Sequence, residues 1–169
     1  MIRLSIVIPV YNEDQSVSHL YDSLKRALVH LPPQTEVILV DDGSSDNTFV
    51  LLKEIAKKDK AISVIKLRRN FGQTPAMSAG IDFAHGDVIV TLDADMQNDP
   101  ADIPRLLKKM EEGYDIVSGW RKDRKDKAIS RRLPSMIANW MIGAITGVKI
   151  HDYGCTLKAY RASLLKELP

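Results

Sequence analysis

The chain has 169 residues, the length of one ordinary domain, and we expect residues 1–169 to fold as a single unit. Hydrophobic residues make up 44% and charged residues 27%, which excludes collagen, coiled coil and extensive disorder as the main architecture. The single cysteine, Cys155, excludes an internal disulfide bond and any zinc site made of several cysteines. The formal net charge of +2 is too close to zero to identify a nucleic-acid-binding protein.

Buried, β-branched segments alternate with amphipathic segments over the first 118 residues. The apolar runs predict strands at 3–10, 36–41, 61–67, 87–92 and 114–118. Apolar residues at helical spacing, with capping residues and prolines near the ends, predict helices at 16–30, at 46–58, from about Pro75, and at 101–112. This alternation predicts an α/β fold with a mostly parallel sheet and helices on both faces.

The pattern changes after residue 120. Residues 121–132 carry seven basic and two acidic residues, a net charge of +5 that leaves −3 for the rest of the chain. Such a segment predicts a local anion site, although a solvated loop is its ordinary explanation. Nucleic acid is not favoured as the partner, because Trp120 alone lies near this segment for base stacking.

The apolar segment 134–148 predicts a helix that is more often part of a core than a membrane contact. A short helical tail is expected up to Pro169. No stretch approaches the ~20 apolar residues of a transmembrane helix, and the N-terminal segment lacks the pattern of a secretory signal. We therefore expect a cytoplasmic protein.

Polar residues follow every predicted strand, at the edge of the sheet where open α/β folds bind ligands. The motif after the fourth strand places Asp93, Asp95 and Gln97 at alternate positions, which face the same way in an extended chain. Two carboxylates and an amide oxygen form a donor set suited to Mg²⁺ or Mn²⁺, which typically also binds nucleotide phosphates. The alternative is a strand-end turn with capping acids.

A second acidic pair, Asp41 and Asp42, follows the second strand, and Gly43 permits a tight turn there. Two carboxylates would repel a phosphate, so base or ribose hydroxyls, or a supporting role behind the ligand, suit them better. The segment lacks the G-x-G-x-x-G pattern, which disfavours a dinucleotide site. An ordinary capped turn is the alternative.

The strand-end motifs together resemble those of the family 2 glycosyltransferases, which have the GT-A fold. The motifs are Pro9-Val10-Tyr11-Asn12-Glu13, Asp41-Asp42-Gly43-Ser44, Arg69-Asn70-Phe71-Gly72 and Asp93-Ala94-Asp95-Met96-Gln97. Within that family they look like the polyprenyl-phosphate sugar transferases, such as the dolichol-phosphate mannose synthases. The segment from His151 to Arg161 looks closest to the bacterial undecaprenyl-phosphate aminoarabinose transferases.

The resemblance implies one GT-A (Rossmann-like) catalytic domain over residues 1–169, truncated at its C-terminus relative to members that continue to membrane helices. It implies a metal-dependent, inverting transfer from a nucleotide-diphosphate sugar, UDP favoured over GDP, to a polyprenyl phosphate. It also implies a cytoplasmic location at the inner face of the membrane, with peripheral membrane contact, and a possible homo-oligomer.

Specific residues take roles from the same resemblance. The nucleotide would contact Pro9, Tyr11, Glu13, Asp42 and Asp93. The metal, Mg²⁺ or Mn²⁺, would contact Asp93, Asp95 and Gln97. The acceptor phosphate would contact Arg121, Arg131 and Ser135, with Arg132 an equal candidate because Pro134 interrupts the segment. The implied catalytic residues are Asp95, Arg131 and Asp152.

Two other functions stay open at this point. A family 2 transferase acting on a soluble or polysaccharide hydroxyl would need a general base, for which Asp152 is the one late acidic candidate. A phosphate acceptor needs none, because a phosphate monoester has a second pKa of ~6 and is mostly dianionic at neutral pH. The other alternative is a nucleotide-binding module that has lost turnover.

Overall fold

A computed structural model of the protein describes residues 3–120, 152 and 154–166. The elements are β1 Leu4–Val10, α1 Val17–Leu28, β2 Thr35–Asp41, α2 Thr48–Lys58, β3 Ile62–Lys66, α3 Gln73–Phe83, β4 Val88–Thr91, a 3₁₀ turn Pro100–Asp102, α4 Ile103–Glu111, β5 Ile116–Ser118, β6 Lys158–Arg161 and α5 Ala162–Lys166. Every strand and helix predicted before residue 119 is present, with small shifts at its ends. The helix predicted at 134–148 lies outside the described residues. Within the described ranges, no helix is long and apolar enough to cross a membrane.

The strands form one sheet in the order β3-β2-β1-β4-β6-β5. Strands β1 to β4 pair in parallel, and β6 lies antiparallel between β4 and β5. This confirms the predicted mostly parallel sheet. Strand β6 was not predicted. The four residues of β6 read KAYR, so no apolar run marks them as a strand.

Alternate residues of β1 face opposite sides of the sheet, and both sides are covered. Leu4, Ile6 and Ile8 pack in the cluster that includes buried residues of α1, α2 and α4. Val7 packs on the other side in a cluster with residues of α3 and α5. Because helices cover both faces, β1 is buried along nearly its whole length, as expected for the centre of a parallel sheet.

The helices bury the residues that the spacing of their apolar positions predicts. Helix α4 buries Ile103, Leu106, Leu107 and Met110, which recur at the three- and four-residue spacing of one helix face. The turn before it begins at Asp99, whose side chain accepts a hydrogen bond from Ala101 N at 2.9 Å. This cap satisfies one of the amides that the start of a helical segment leaves unpaired.

Helix α3 contacts the sheet most closely at Gly80, where a methyl group would lie within 3.0 Å of Val7 Cγ1 and Val40 Cγ2. Both valines are fully buried, so neither side chain has open space to move into.

We expect Gly80→Ala to destabilise the protein, since overpacking costs ~1–3 kcal/mol while the higher helix propensity of alanine returns at most ~1 kcal/mol. Urea denaturation measures the difference. The control is Ser78→Ala on the exposed side of α3, expected within ~0.5 kcal/mol of wild type. A Gly80→Ala variant as stable as wild type would contradict this packing.

Candidate functional site

The order in which successive strands join the sheet reverses between β1 and β4. The chain moves outward from β1 through β2 to β3 and then returns to the other side of β1 with β4. The loops after β1 and β4 are therefore neighbours at the carboxyl edge, where open α/β sheets usually bind ligands. Residues 11–14 and 93–97, two of the predicted motifs, lie on either side of this switch point.

Hydrogen bonds connect the loop after β1 to the loop after β2. Asn12 N donates to Ser44 Oγ at 3.0 Å, and Ser45 N donates to Asn12 Oδ1 at 2.9 Å. Glu13 N donates to Thr48 Oγ1 at 2.8 Å. Asn12 has a φ of 51°, a left-handed conformation that asparagine adopts more readily than most residues. These bonds make the two polar loops a single surface at the carboxyl edge.

Asp46 adds a charged acceptor to the same pair of loops. Its carboxylate accepts from Thr48 N at 2.9 Å and from Asp14 N at 3.3 Å. Burial acts to raise the pKa of Asp46, but hydrogen bonds from Thr48 and Asp14 outweigh it and hold that pKa below its ordinary value. Asp46 therefore stays ionised at neutral pH and ties the start of α2 to the loop after β1.

Asp42 holds the loop between β3 and α3. Its side chain is buried, and its two oxygens accept hydrogen bonds from Phe71 N and Gly72 N, both at 2.9 Å. Gly43 lies against the same loop, because a Cβ atom there would come within 2.6 Å of Arg69 Cα and Asn70 N. The structure thus gives Asp42 a supporting role behind the surface, one of the roles that its sequence context allowed. Its contact with the nucleotide stays a prediction.

Asp93 is held from two sides. Gln73, the first residue of α3, donates from Nε2 to Asp93 Oδ1 at 2.5 Å, and Thr156 Oγ1 donates to Asp93 Oδ2 at 2.7 Å. Asp42 fixes Gly72, the residue before Gln73, so the two aspartates are connected through the start of α3.

Asp95 and Gln97 lie exposed in the turn after β4. Gln97 N donates to Asp95 Oδ1 at 3.0 Å, and Met96 between them has a left-handed φ of 60°. The extended chain expected over this motif is wrong: residues 94–98 form a turn, so alternate positions are not related as they are in a strand. The donor set of Asp93, Asp95 and Gln97 is still all oxygen and of the kind that suits Mg²⁺ or Mn²⁺. Within residues 3–120, 152 and 154–166, no three His, Cys, Asp or Glu side chains form a metal-holding group. Mg²⁺ commonly takes some of its ligands from substrate phosphates.

The other predicted residues fall into three groups. Pro9 is half-buried near the end of β1, Tyr11 is exposed in the loop that follows, and the carboxylate of Glu13 accepts a hydrogen bond from the Ser16 hydroxyl. Asp152 is buried, and its carbonyl accepts from Cys155 N at 3.4 Å. The predicted acceptor-phosphate residues lie outside the described residues: Arg121, Arg131, Arg132 and Ser135.

Three residues of this network were not singled out from the sequence: Gln73, Asn98 and Thr156. Gln73 and Asn98 lie within or next to the strand-end motifs, but a lone amide gives no signal of its own. Thr156 lies in the segment before β6, and only the unpredicted antiparallel pairing of β6 with β4 brings it to Asp93.

Comparison with known proteins identifies relatives along the whole chain. The model of glycosyl transferase family 2 matches residues 5–169. A dodecaprenyl-phosphate galacturonate synthase of Rhizobium johnstonii is 50% identical over 169 residues, which cover 99% of this chain and 50% of that protein. An undecaprenyl-phosphate 4-deoxy-4-formamido-L-arabinose transferase of Pseudomonas aeruginosa is 44% identical over 166 residues, 98% of this chain and 49% of that protein. The chain thus spans about half the length of these curated relatives.

A solved structure supports the fold independently. The glucosyl-3-phosphoglycerate synthase of Mycobacterium tuberculosis, in complex with Mn²⁺, UDP and phosphoglyceric acid, matches with a TM-score of 0.76. The match has 20% sequence identity and covers 99% of this chain and 58% of that one. These findings confirm the GT-A-type fold and the similarity to polyprenyl-phosphate sugar transferases that the motifs predicted.

The double hydrogen bond to Asp42 is testable by Asp42→Asn. The asparagine oxygen can accept one amide, but its NH₂ group would then face the other, so one N–H loses its partner at a cost of ~1–3 kcal/mol. We expect lower stability in urea and faster amide hydrogen exchange at Phe71 and Gly72. Asp82→Asn, the same charge change at an exposed position of α3, is the control. Unchanged exchange at both amides in Asp42→Asn would show that the loop is held in another way.

Proposed function

The chain belongs to glycosyl transferase family 2, and on that premise we propose that it transfers a sugar from a nucleotide-diphosphate sugar to a polyprenyl phosphate. The names of two relatives, 50% and 44% identical, specify polyprenyl-phosphate substrates and support that acceptor class. Because the chain spans about half of each relative, the proposal concerns the whole protein to which these 169 residues correspond.

One observation carries the proposal: Asp93 and Asp95 follow β4 at the switch point of the sheet, with no third carboxylate, histidine or cysteine grouped with them among the described residues. A site with two carboxylates and an amide suits a cation that completes its coordination with a diphosphate. When bound, Mg²⁺ or Mn²⁺ there would offset the charge that gathers on the leaving diphosphate. The loops after β1 and β2 lie beside it, where a nucleoside would extend.

The residues of this chain suit a phosphate acceptor better than a hydroxyl acceptor. A phosphate acceptor is already a nucleophile at neutral pH, because its second pKa is ~6, and in-line attack would invert the anomeric centre. A hydroxyl acceptor would need an accessible general base, whereas Asp152 is 5% exposed. Arginines suit the phosphate because they can donate two parallel hydrogen bonds. We assign that role to Arg121 and Arg131, with Ser135, in the basic part of the chain.

The donor and the acceptor also define the place of reaction. A nucleotide sugar is water-soluble and a polyprenyl phosphate is embedded in lipid, so the carboxyl edge of the sheet would have to reach a membrane surface. We favour UDP over GDP as the nucleotide, on the resemblance of the segment from His151 to Arg161 to the aminoarabinose transferases.

Transfer of a labelled sugar tests the proposed function directly. The full protein is incubated with Mn²⁺, a panel of UDP- and GDP-sugars, and either a short-chain polyprenyl phosphate or the corresponding polyprenol. The proposal expects label on the phosphate and none on the alcohol. Label only on a hydroxyl acceptor would support the other transferase class, and nucleotide binding without transfer to either acceptor would support a binding module.

Asp95→Asn tests the metal assignment separately from turnover. We expect wild-type protein to bind UDP much more tightly with Mn²⁺ than without it, because Asp93 and Asp95 otherwise repel the diphosphate. Asp95→Asn removes one charged ligand and should lose most of this Mn²⁺ dependence and the transferase activity. Isothermal titration of UDP with and without Mn²⁺ measures it. Asp99→Asn, an equal charge change in the same loop at a capping position that asparagine also fills, should behave like wild type.

Arg131→Ala tests the acceptor assignment. A charge-assisted phosphate contact is worth ~1.5–3 kcal/mol, so apparent acceptor affinity should fall roughly 10- to 100-fold. Nucleotide affinity should stay unchanged. A loss in Arg132→Ala instead would assign the contact to that neighbour, and an equal loss of nucleotide affinity in Arg131→Ala would place this arginine at the donor.

A further inference from the structure

Three consecutive hydrogen bonds lead from Cys155 to the carboxylate of Asp93. Cys155 Sγ lies 3.4 Å from Asn98 Oδ1, Asn98 Nδ2 donates to Thr156 Oγ1 at 3.2 Å, and Thr156 Oγ1 donates to Asp93 Oδ2 at 2.7 Å. Cys155 and Asn98 are 1% and 6% exposed, so their partners are set by the fold rather than by solvent. The series begins in the core and ends at the predicted metal ligand.

The direction of each bond follows from its partners. The Cys155 thiol donates to Asn98 Oδ1, and the NH₂ group at the other end of the same amide faces Thr156. Leu157 O also lies near Cys155 Sγ, at the longer distance of 3.9 Å. Since a hydroxyl has one hydrogen, and Thr156 Oγ1 receives the amide of Asn98, its own hydrogen goes to Asp93.

Thr156 is also fixed through its backbone. Its carbonyl oxygen accepts from Thr91 Oγ1 at 2.6 Å, and Thr91 is the last residue of β4, two residues before Asp93. The strand that carries Asp93 and the segment that carries Thr156 are therefore joined at two points. The hydroxyl of Thr156 has little freedom to follow Asp93 if the carboxylate turns, so it restricts the carboxylate to one orientation.

We propose that Thr156 is a positioning residue for the metal site: its hydroxyl, oriented by Asn98, holds the Asp93 carboxylate in the orientation that binds the cation. The proposal rests on the proposed function, because it takes Asp93 as a metal ligand. Groups that hydrogen-bond to metal ligands typically change metal affinity or activity 10- to 100-fold when they are removed. Thr156 does not contact the substrate in this role and acts through Asp93 alone.

Two substitutions at position 156 separate the hydroxyl from the shape of the side chain. Thr156→Val keeps the shape and removes the donor, whereas Thr156→Ser keeps the donor and removes a methyl group. Mn²⁺ affinity is measured in the full protein with saturating UDP, from the electron paramagnetic resonance signal of free Mn²⁺. We expect Thr156→Val to bind Mn²⁺ roughly 10- to 100-fold more weakly and Thr156→Ser to restore affinity close to wild type.

Asn98→Leu provides a second test that keeps the approximate shape of the side chain and adds no charge near the cation. It removes the NH₂ group that orients the Thr156 hydroxyl, so Mn²⁺ affinity should again fall. Circular dichroism melting of each variant establishes that it is folded at the assay temperature. Should Thr156→Val be unfolded there, Asn98→Leu and Thr156→Ser decide the question.

The outcomes distinguish this proposal from the proposed function. If wild-type protein binds no Mn²⁺ in the presence of UDP, the metal site itself is wrong. If wild type binds Mn²⁺ and folded Thr156→Val or Asn98→Leu binds it equally well, the positioning role alone is wrong. Equal weakening by Thr156→Ser and Thr156→Val would also overturn it, because the hydroxyl would then make no difference.

Discussion

The antiparallel pairing of β6 with β4 is the constraint on which the candidate site depends. Lys158, the first residue of β6, lies opposite Thr91, the last residue of β4. The chain therefore enters β6 from the carboxyl edge of the sheet, and the segment before it must cross in front of the residues that follow β4. A parallel β6 would have put that segment at the other end of the strand, ~13 Å away for four residues. The bond from Thr156 to Asp93 exists because of this direction.

Carboxylates at this edge join segments that are distant in sequence. Asp42 accepts the amides of Phe71 and Gly72, the next residue Gln73 donates to Asp93, and Asp93 also accepts from Thr156. The loops after β2, β3 and β4 and the segment before β6 thus form one connected network. Hydrogen bonds to charged acceptors are shorter and stronger than neutral ones, so the network fixes its members in place. The proposed binding of a cation and a diphosphate would gain from that rigidity, because the ligands would not need to reorganise on binding.

The sequence predicted the parts of this arrangement that depend on local pattern. Apolar runs and helical spacing identified every element up to β5, and the strand-end motifs identified the edge that carries the site. It did not predict β6, because KAYR has no apolar run and becomes a strand only between two partners already in place. Asn98 and Thr156 were missed for the same reason, since their role arises from tertiary pairing. Asp42 and Asp93 were both identified from their motifs, but the sequence could not show that their oxygens accept hydrogen bonds from protein groups.

The described chain stops after β5 and resumes before β6 at the same edge of the sheet. Gly119 N donates to Leu157 O at 2.8 Å, so these two parts of the chain are adjacent there. In the sequence between them, residues 121–132 carry a net charge of +5, whereas the edge itself carries the carboxylates of Asp42, Asp93 and Asp95. The proposed reaction between two anions would use both kinds of charge: carboxylates to bind a cation at the donor diphosphate, and basic groups to bind the acceptor phosphate. With both kinds of charge available, the two phosphates would approach each other without either meeting uncompensated charge of its own sign.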